Sequence, residues 1–386
     1  MKIVHLCLSS FYIDDYSYQE NMLPKYHHNM GFDVTVIASL VSFDDKGKPC
    51  LLPKASTYKA RDGYKVIRLD YCKKFRKINS FIRRYEGTIE AIEREKPDIL
   101  FIHDFSFADI LGVMRYAKKN KVKVYIDCHT DYINSAKSWV SKYIFHHTIW
   151  RIIGKYIQSD VCKFYGVTPL RCDFLRDAYK IAPKKIEFLR MGVDDLLLEE
   201  KKKNNKAIQL KEKLGLKNEF VILTGGKIDF FKNTHLIIEA FKERSDKSIP
   251  AKLIVFGTLA PEVVSNFQSL LEDVDIIFVG WLSSDEILEY FLIADLIVFP
   301  GTHSVLWEQA VGVGVPSLFK YWEGMTHVGE NGNAMFLYKD SVEEIKNILE
   351  TLLVDGDKYN QLLSAAKNIG NEYCYSVIAK KAIELC

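Results

Sequence analysis

The feature that most constrains the fold is a steady alternation of short apolar runs with longer amphipathic ones. KIVHLC (2–7), VTVIA (34–38), KVIRL (65–69), DILFIH (98–103), KVYIDC (123–128), KFYGVT (163–168) and KIEFLR (185–190) read as strands covered on both faces. Between them, 17–30, 79–95, 107–119, 138–158 and 171–179 carry a helical apolar period. The alternation restarts after the polar stretch EEKKKNNK (199–206), with FVILTG (220–225), KLIVFG (252–257), DIIFVG (275–280), LIVFP (296–300) and PSLF (316–319) separated by helix-like segments. Such a pattern implies mostly parallel sheets with helices on both sides, and two of them. The chain has 386 residues, more than one core usually serves, which agrees with two domains.

The expected division is residues 1–198, then 199–370, then a terminal helical segment, 371–386, crossing back to the first domain. Its apolar stripe runs through Tyr375, Ile378, Ala382 and Leu385. Two doubly wound domains direct the carboxyl ends of their strands toward an interdomain cleft, so ligand contacts are sought in the loops that follow strands.

Charge excludes some partners. Lysine plus arginine number 53 against 50 acidic residues, and a net +3 on so long a chain predicts no nucleic-acid binding. The stretch CKKFRKINSFIRR (72–84) is the exception, with six basic side chains, no acidic one, and interleaved phenylalanine and isoleucine. It reads either as a solvated helix face or as a surface for an anionic membrane. The eight scattered cysteines, Cys386 among them, form no CxxC pair and read as free thiols. The opening MKIVHLC reads as a first strand rather than a leader, and no apolar run is long enough to span a bilayer, so the expected location is the cytoplasm, peripheral to the membrane if the basic stretch binds it.

Five segments carry candidate chemistry. TGGKIDFFKNTHLIIEAF (224–241) places Gly225, Gly226, Lys227 and Lys232 between a strand and a helix, an arrangement suited to a diphosphate, although neither usual glycine-rich nucleotide fingerprint is present. YIDCHTDYINS (125–135) puts His129 and Asp131 in a strand-exit loop, where a histidine can accept a proton, donate a hydrogen bond to a sugar hydroxyl, or pair with the carboxylate two residues on. His103 and Asp104 end the preceding strand and can brace that loop. GTHSVLWEQAVGVGVPSL (301–318) holds His303, Ser304 and Glu308, with Thr302 or Ser304 as a candidate helix cap and Glu308 either a helix-end charge or an acceptor for vicinal hydroxyls. The loop of Asp14 to Tyr18 follows the first strand, and His27 and His28 fall late in the first helix, where interaction with its C-terminus is the simple explanation. Metal ligation is not indicated: Asp273 and Asp275 are a weak pair and no compact zinc spacing occurs.

Together these segments resemble the nucleotide-sugar glycosyltransferases of GT-B architecture, particularly family 4, whose C-terminal half is the glycosyltransferase group 1 domain. The resemblance spans the whole chain and is most specific from FVGWLSSDEILEYFLIADLIVFP (278–300) into WEQAVGVGVP (307–316). It implies an α/β fold of two Rossmann-like domains and transfer of a sugar from a nucleotide-diphosphate donor, UDP- or GDP-linked, to a saccharide or lipid-linked saccharide, with retention and no metal, in surface polysaccharide assembly. By this likeness Gly226, Lys227 and Lys232 hold the donor diphosphate, Glu308 binds the donor ribose, and His129 approaches the transferred sugar. Lys227 stands where the family usually has arginine, and Pro300 where it commonly has a second glutamate. His303 and Ser304 then become the residues for the donor-sugar side. A nucleotide-sugar epimerase and a noncatalytic sugar-nucleotide binder are the alternatives.

Overall fold

The computed structural model describes residues 1–44, 48–245 and 247–384. The chain divides into two compact units, Met1–Arg190 with Ile378–Cys386, and Met191–Val377. Both are Rossmann-like α/β domains.

The first unit contains β1 (Lys2–Cys7), β2 (Asp33–Ser39), the short pair β3 (Val41–Phe43) and β4 (Pro49–Leu51), β5 (Ser56–Lys59), β6 (Lys65–Leu69), β7 (Ile99–His103), β8 (Lys123–Cys128), β9 (Lys163–Gly166) and β10 (Ile186–Phe188). Its main sheet has the order β10-β9-β8-β7-β1-β2-β6-β5, all parallel except the edge strand β5, which pairs antiparallel with β6. The second unit contains β11 (Phe220–Ile228), β12 (Ala251–Leu259), β13 (Ile276–Gly280), β14 (Leu296–Phe299), β15 (Ser317–Lys320) and β16 (Ala334–Leu337), in the order β13-β12-β11-β14-β15-β16. In each sheet the strand order reverses beside the first strand, at β1/β7 and at β11/β14. A crevice opens beyond the strand ends at such a point, so the topology alone nominates two places for ligands.

Alternation along the strands explains why the first sheet is stable. Val4, Leu6, Leu100, Ile102, Val124 and Ile126 are at most 1% exposed and share one apolar core. Each such aliphatic side chain contributes about 1.5–3 kcal/mol on burial. The opposite face of the same strands carries His5, Phe101, His103, Tyr125 and Asp127, also buried, brought side by side by the pairings His5↔Phe101 and His103↔Asp127. On that face the helix Gln19–Asn29 contributes His27, and the terminal segment supplies backbone acceptors: Tyr165 donates to the Lys381 carbonyl and Tyr125 to that of Glu384.

Several local expectations change. The charged stretch 199–206 is not a linker: it lies within the second unit, across the helices Asp195–Lys203 and Lys206–Lys213. Asp194 caps the first by accepting from the Leu197 amide, and Lys201 is buried against Glu289 at 2.7 Å. The segment 79–95 is not one helix. It breaks into Arg76–Phe81 and Thr88–Glu95, with Arg83 and Gly87 both in the left-handed region at φ 54° and 79°. Residues 140–150 wind as a π-helix before the α-helix Arg151–Ile157. The terminal segment is a short 3-10 turn, Gly370–Tyr373, followed by the helix Tyr375–Ala382, with Leu385 outside the described residues. Six cysteines are free, but Cys162 is disulfide-bonded, against the expectation of free thiols throughout; Cys386 lies outside the described residues.

Candidate functional site

The β11/β14 switch point carries the phosphate-type candidates, in a form the sequence did not predict. Gly225 and Gly226 are not a turn. They continue β11, paired with Phe256 and Gly257 of β12. A Cβ on Gly225 would sit 2.2 Å from the Phe256 carbonyl oxygen, and Gly226 has φ +110°, so both positions require glycine. The turn comes afterwards, where Asp229 accepts from the Phe231 and Lys232 amides and caps the 3-10 turn Phe230–Lys232. The Lys232 ammonium then reaches the next switch-point loop and donates to the Thr302 carbonyl at 2.6 Å. The contact is possible because Gly301 packs on the Lys232 backbone; a Cβ there would lie 2.3 Å from the Lys232 carbonyl carbon. Burial lowers the Lys232 ammonium to about 8, opposed by Asp229 and aided by Lys227. Lys227 itself is exposed.

Glu308 lies in the first turn of the helix Leu306–Val313 and is completely buried, which rules out the reading of an exposed helix-end charge. Neither Thr302 nor Ser304 caps that helix; its N-cap, Val305, makes no side-chain bond. Instead, Glu308 Oε1 accepts from His303 Nε2 at 2.8 Å and from His327 Nε2 at 3.0 Å. Burial alone would raise its carboxyl, but the two histidines hold it well below the usual carboxylate range. Its Oε2 is buried with no hydrogen-bond partner, leaving one acceptor atom for a hydroxyl donor. His303 is thus turned onto Glu308. His327, in the 3-10 turn Thr326–Gly329 after β15, was missed by sequence reasoning; its only signal was a histidine in a loop of glycines and asparagines that follows a strand.

At the β1/β7 switch point, His129 pairs backwards, not forwards. Its Nε2 lies 3.3 Å from Asp127 Oδ2, poorly aligned for a hydrogen bond, and 3.8 Å from Glu20 Oε1. Asp131, the expected partner, accepts from the Ile133 and Asn134 amides and pairs with Arg171 at 3.2 Å. Asp104 braces the loop through Thr130 Oγ1 at 2.5 Å, from a left-handed backbone at φ 59°. Burial works against a charged His129, yet Glu20 and Asp127 together raise it to about 9, so the ring is cationic at neutral pH. A cationic imidazole donates hydrogen bonds and cannot act as a base.

A cavity of about 800 Å³ extends from His129, Glu20 and Arg171 past Arg83 to Phe81, Phe145 and Trp150. Arg83 donates to Ser9 Oγ and to the Ser106 carbonyl and has no carboxylate partner among the described residues. Asp14, in the loop after β1, is occupied otherwise: it pairs with the buried Arg68 at 2.8 Å.

Among the described residues two sets of donor atoms converge within 4.8 Å, Glu20 with His103 and His129, and His303 with Glu308 and His327. In the first set both nitrogens of His103 are already hydrogen-bonded, leaving no lone pair for a cation. In the second, both Nε2 atoms are already engaged with Glu308 Oε1. Asp273 accepts from the Asp275 amide and Asp275 pairs with Lys252, so the DVD pair forms no divalent clamp.

Residues 23–195 match the family described as Glycosyltransferase Family 4, and residues 206–369 match Glycosyl transferases group 1. The serotype-specific mannosyltransferase WbdA of Escherichia coli is 27% identical over 196 residues, an alignment covering 45% of this chain and 22% of WbdA. The chain therefore spans under a quarter of that relative. Among solved structures, HepE of Anabaena in complex with UDP superposes with a TM-score of 0.68 at 14% identity, over 100% of this chain and 99% of HepE. The UDP-GlcNAc 2-epimerase of Neisseria meningitidis, bound to UDP-GlcNAc, superposes with a TM-score of 0.62 at 15% identity, over 100% and 99%. These likenesses establish the fold.

Proposed function

Because the chain belongs to the GT-B glycosyltransferases that join a family 4 domain to a group 1 domain, we propose that it moves a sugar from a nucleotide-diphosphate donor to a saccharide carried on a lipid. The observation that carries this reading is the convergence of the glycine-lined end of β11, Lys227, Lys232 and the unpartnered Oε2 of Glu308 at one switch point. There the bond from the anomeric carbon to the donor diphosphate breaks while an acceptor oxygen bonds the same carbon and passes its proton to the departing diphosphate oxygen. Lys227, Lys232 and the glycine-flanked amides offset charge growing on the leaving group, an electrostatic role that needs no metal. Glu308 Oε2 accepts ribose hydroxyls. His129, cationic, donates to a hydroxyl of the transferred sugar. In this reading transfer retains anomeric configuration by attack on the face the leaving group departs from.

The cavity of the first unit supports a lipid-linked acceptor. Its polar end holds His129 and the unpaired Arg83 cation, suited to an acceptor phosphate, and its other end is the aromatic wall of Phe81, Phe145 and Trp150. The Phe81 and Phe145 rings meet edge to face with centroids 5.5 Å apart, and the helices they belong to also expose Phe75, Ile78, Trp139, Tyr143 and Ile152 in and beside them. Lys73, Lys74, Lys77 and Lys142 belong to the same helices and the loops that lead into them, whereas Arg76 is neutralised by Asp70. Such a basic and aromatic face fits the surface of an anionic bilayer. Among the described residues no helix is long and apolar enough to cross one.

Mass-spectrometric screening of UDP- and GDP-sugars with extracted cell lipids tests the reading. Acceptor-dependent product with release of nucleoside diphosphate, undiminished by chelator, is expected. An isomerised donor without acceptor would establish the epimerase instead, and binding without turnover a noncatalytic binder. Sedimentation with vesicles containing anionic lipid tests the surface, and equal binding to neutral vesicles would remove the electrostatic part.

A further inference from the structure

Three histidines and an aspartate form an unbroken row through the core of the first unit. His27 Nε2 donates to the Ala379 carbonyl at 2.8 Å, His27 Nδ1 meets His5 Nε2 at 3.0 Å, His5 Nδ1 meets His103 Nε2 at 3.1 Å, and His103 Nδ1 meets Asp127 Oδ2 at 2.8 Å. His5, His27, His103 and Asp127 are all 0% exposed, so no water shares these bonds. Both ends of the row only accept: one is a peptide carbonyl, the other a carboxylate. Four hydrogen bonds therefore need four protons, while three neutral imidazoles carry one N–H each. The row is one proton short unless one ring is an imidazolium or Asp127 is a neutral acid, and the His103 and His129 rings beside that carboxyl favour its ionised form. The count is the same whichever tautomers are drawn.

We propose that His5, His27 and His103 form a buried relay that holds one excess proton on His103 against Asp127, and that the relay acts as a positioning device for His129 by fixing the charge that ring faces. Burial holds His5 well below its ordinary value and, against the Ala379 hydrogen bond, lowers His27 to about 4, so neither carries the charge. Asp127 would be raised by burial, but His103 and His129 keep it ionised. With His103 cationic, the row and its carboxylate are neutral as a set. His129 then faces Glu20 from the helix Gln19–Asn29 as the uncompensated anion, with the neutralised Asp127–His103 pair on β8 and β7 and the Arg171 cation opposing from the helix Pro169–Asp177. Cys7 on β1 stays a neutral thiol, raised well above its usual value by burial.

The proton count predicts different outcomes for two substitutions at one position. In His27→Leu the far acceptor is disconnected, two rings need supply only two bonds, and the excess proton is released. Asp127 then keeps its full negative charge, and His129 becomes harder to deprotonate. In His27→Gln the amide donates to Ala379 and accepts from His5, so the excess proton stays. Nitrogen-15 NMR of histidine rings in the full chain is the direct test: His103 should hold protons on both nitrogens at pH 8 in the native protein and in His27→Gln, and on one in His27→Leu. A singly protonated His103 in the native protein overturns the proposal without recourse to any variant, as does an unchanged ring in a folded His27→Leu.

The kinetic arm rests on His129 acting at the transferred sugar. The alkaline limb of turnover should move up by about one pH unit in His27→Leu and stay in place in His27→Gln. NMR results as expected with no alkaline limb near the His129 titration would sink the role given to His129 and leave the relay standing.

Discussion

Asp127 and Glu308 are both fully buried carboxylates held ionised by histidines, yet they are mounted differently. Asp127 stands on β8, its partner His103 on β7 directly beside it, and two more rings continue the row. Glu308 stands at a helix start, and its partners come from a loop and a 3-10 turn. Strand register fixes the first group before any ligand arrives. The second draws on a helix start and two connecting segments, and loops are the parts of a fold that open and adjust locally at least cost. A rigid site suits holding one ring at a fixed charge, and an adjustable one suits closing on a nucleotide sugar.

The largest effects should come from removing either carboxylate. Asp127→Ala and Glu308→Ala each strand buried histidines and should cost about 3–5 kcal/mol in urea unfolding. Only Glu308→Ala should also abolish nucleotide binding by calorimetry, and loss of binding in both would erase the division of labour. His129→Ala should lower turnover about 10²–10³-fold, the cost of one lost hydrogen-bond donor at the reacting sugar, with nucleotide affinity unchanged. A matching fall in affinity would place that ring at the nucleotide instead. Gly301→Ala forces a Cβ against the Lys232 backbone and should cost about 1–3 kcal/mol while weakening donor binding. A neutral result would show that the contact of the two loops is dispensable.

The smallest effects are in pH dependence, where the two sites oppose each other. His129 is raised from 6.5 to about 9, so its contribution to stability is complete below the unfolded value and disappears as pH rises through 9. Lys232 is lowered from 10.5 to about 8; the unfolded chain binds the extra proton between those values, so stability gains from this group as pH rises through that window. Donor affinity should fall above pH 8 as Lys232 loses its charge. Stability curves of His129→Gln and Lys232→Met should therefore deviate from the native curve with opposite slopes, and parallel curves would contradict both assignments.

Strand and helix alternation was readable because buried parallel strands are apolar over their whole length, and both sheets follow from it. The residues proposed for the donor side stand together in the sequence, where a strand end, two glycines and two lysines are close neighbours. Their geometry is not legible there, because strand pairing of Gly225 and Gly226 with Phe256 and Gly257 is set by β12, a distant segment of the chain. In sequence His129 pairs as readily with Asp131 as with Asp127, and the structure sets it beside Asp127, since side chains two apart look equivalent until the loop is built. His27 was assigned to the helix C-terminus because nothing local reveals an acceptor at Ala379, 352 residues away. The row itself had a faint trace: KIVHLC, DILFIH and KVYIDC carry His5, His103 and Asp127 among apolar residues, at positions that adjacent parallel strands bring together.

The first unit is written in two instalments, with the whole of Met191–Val377 between them. During synthesis, His5, His27 and His103 leave the ribosome long before the carbonyl that terminates their row. Until then the nascent first unit holds a row of three rings with nothing to receive the last N–H, and an uncovered sheet face where Tyr125 and Tyr165 await the Glu384 and Lys381 carbonyls. Closing so long a loop costs little more entropy than closing a short one. The delay is one of time. A chain cut before residue 378 should keep the apolar face of β1, β7 and β8 packed yet leave the histidine face wet, making the last turn of helix the step that dries the core.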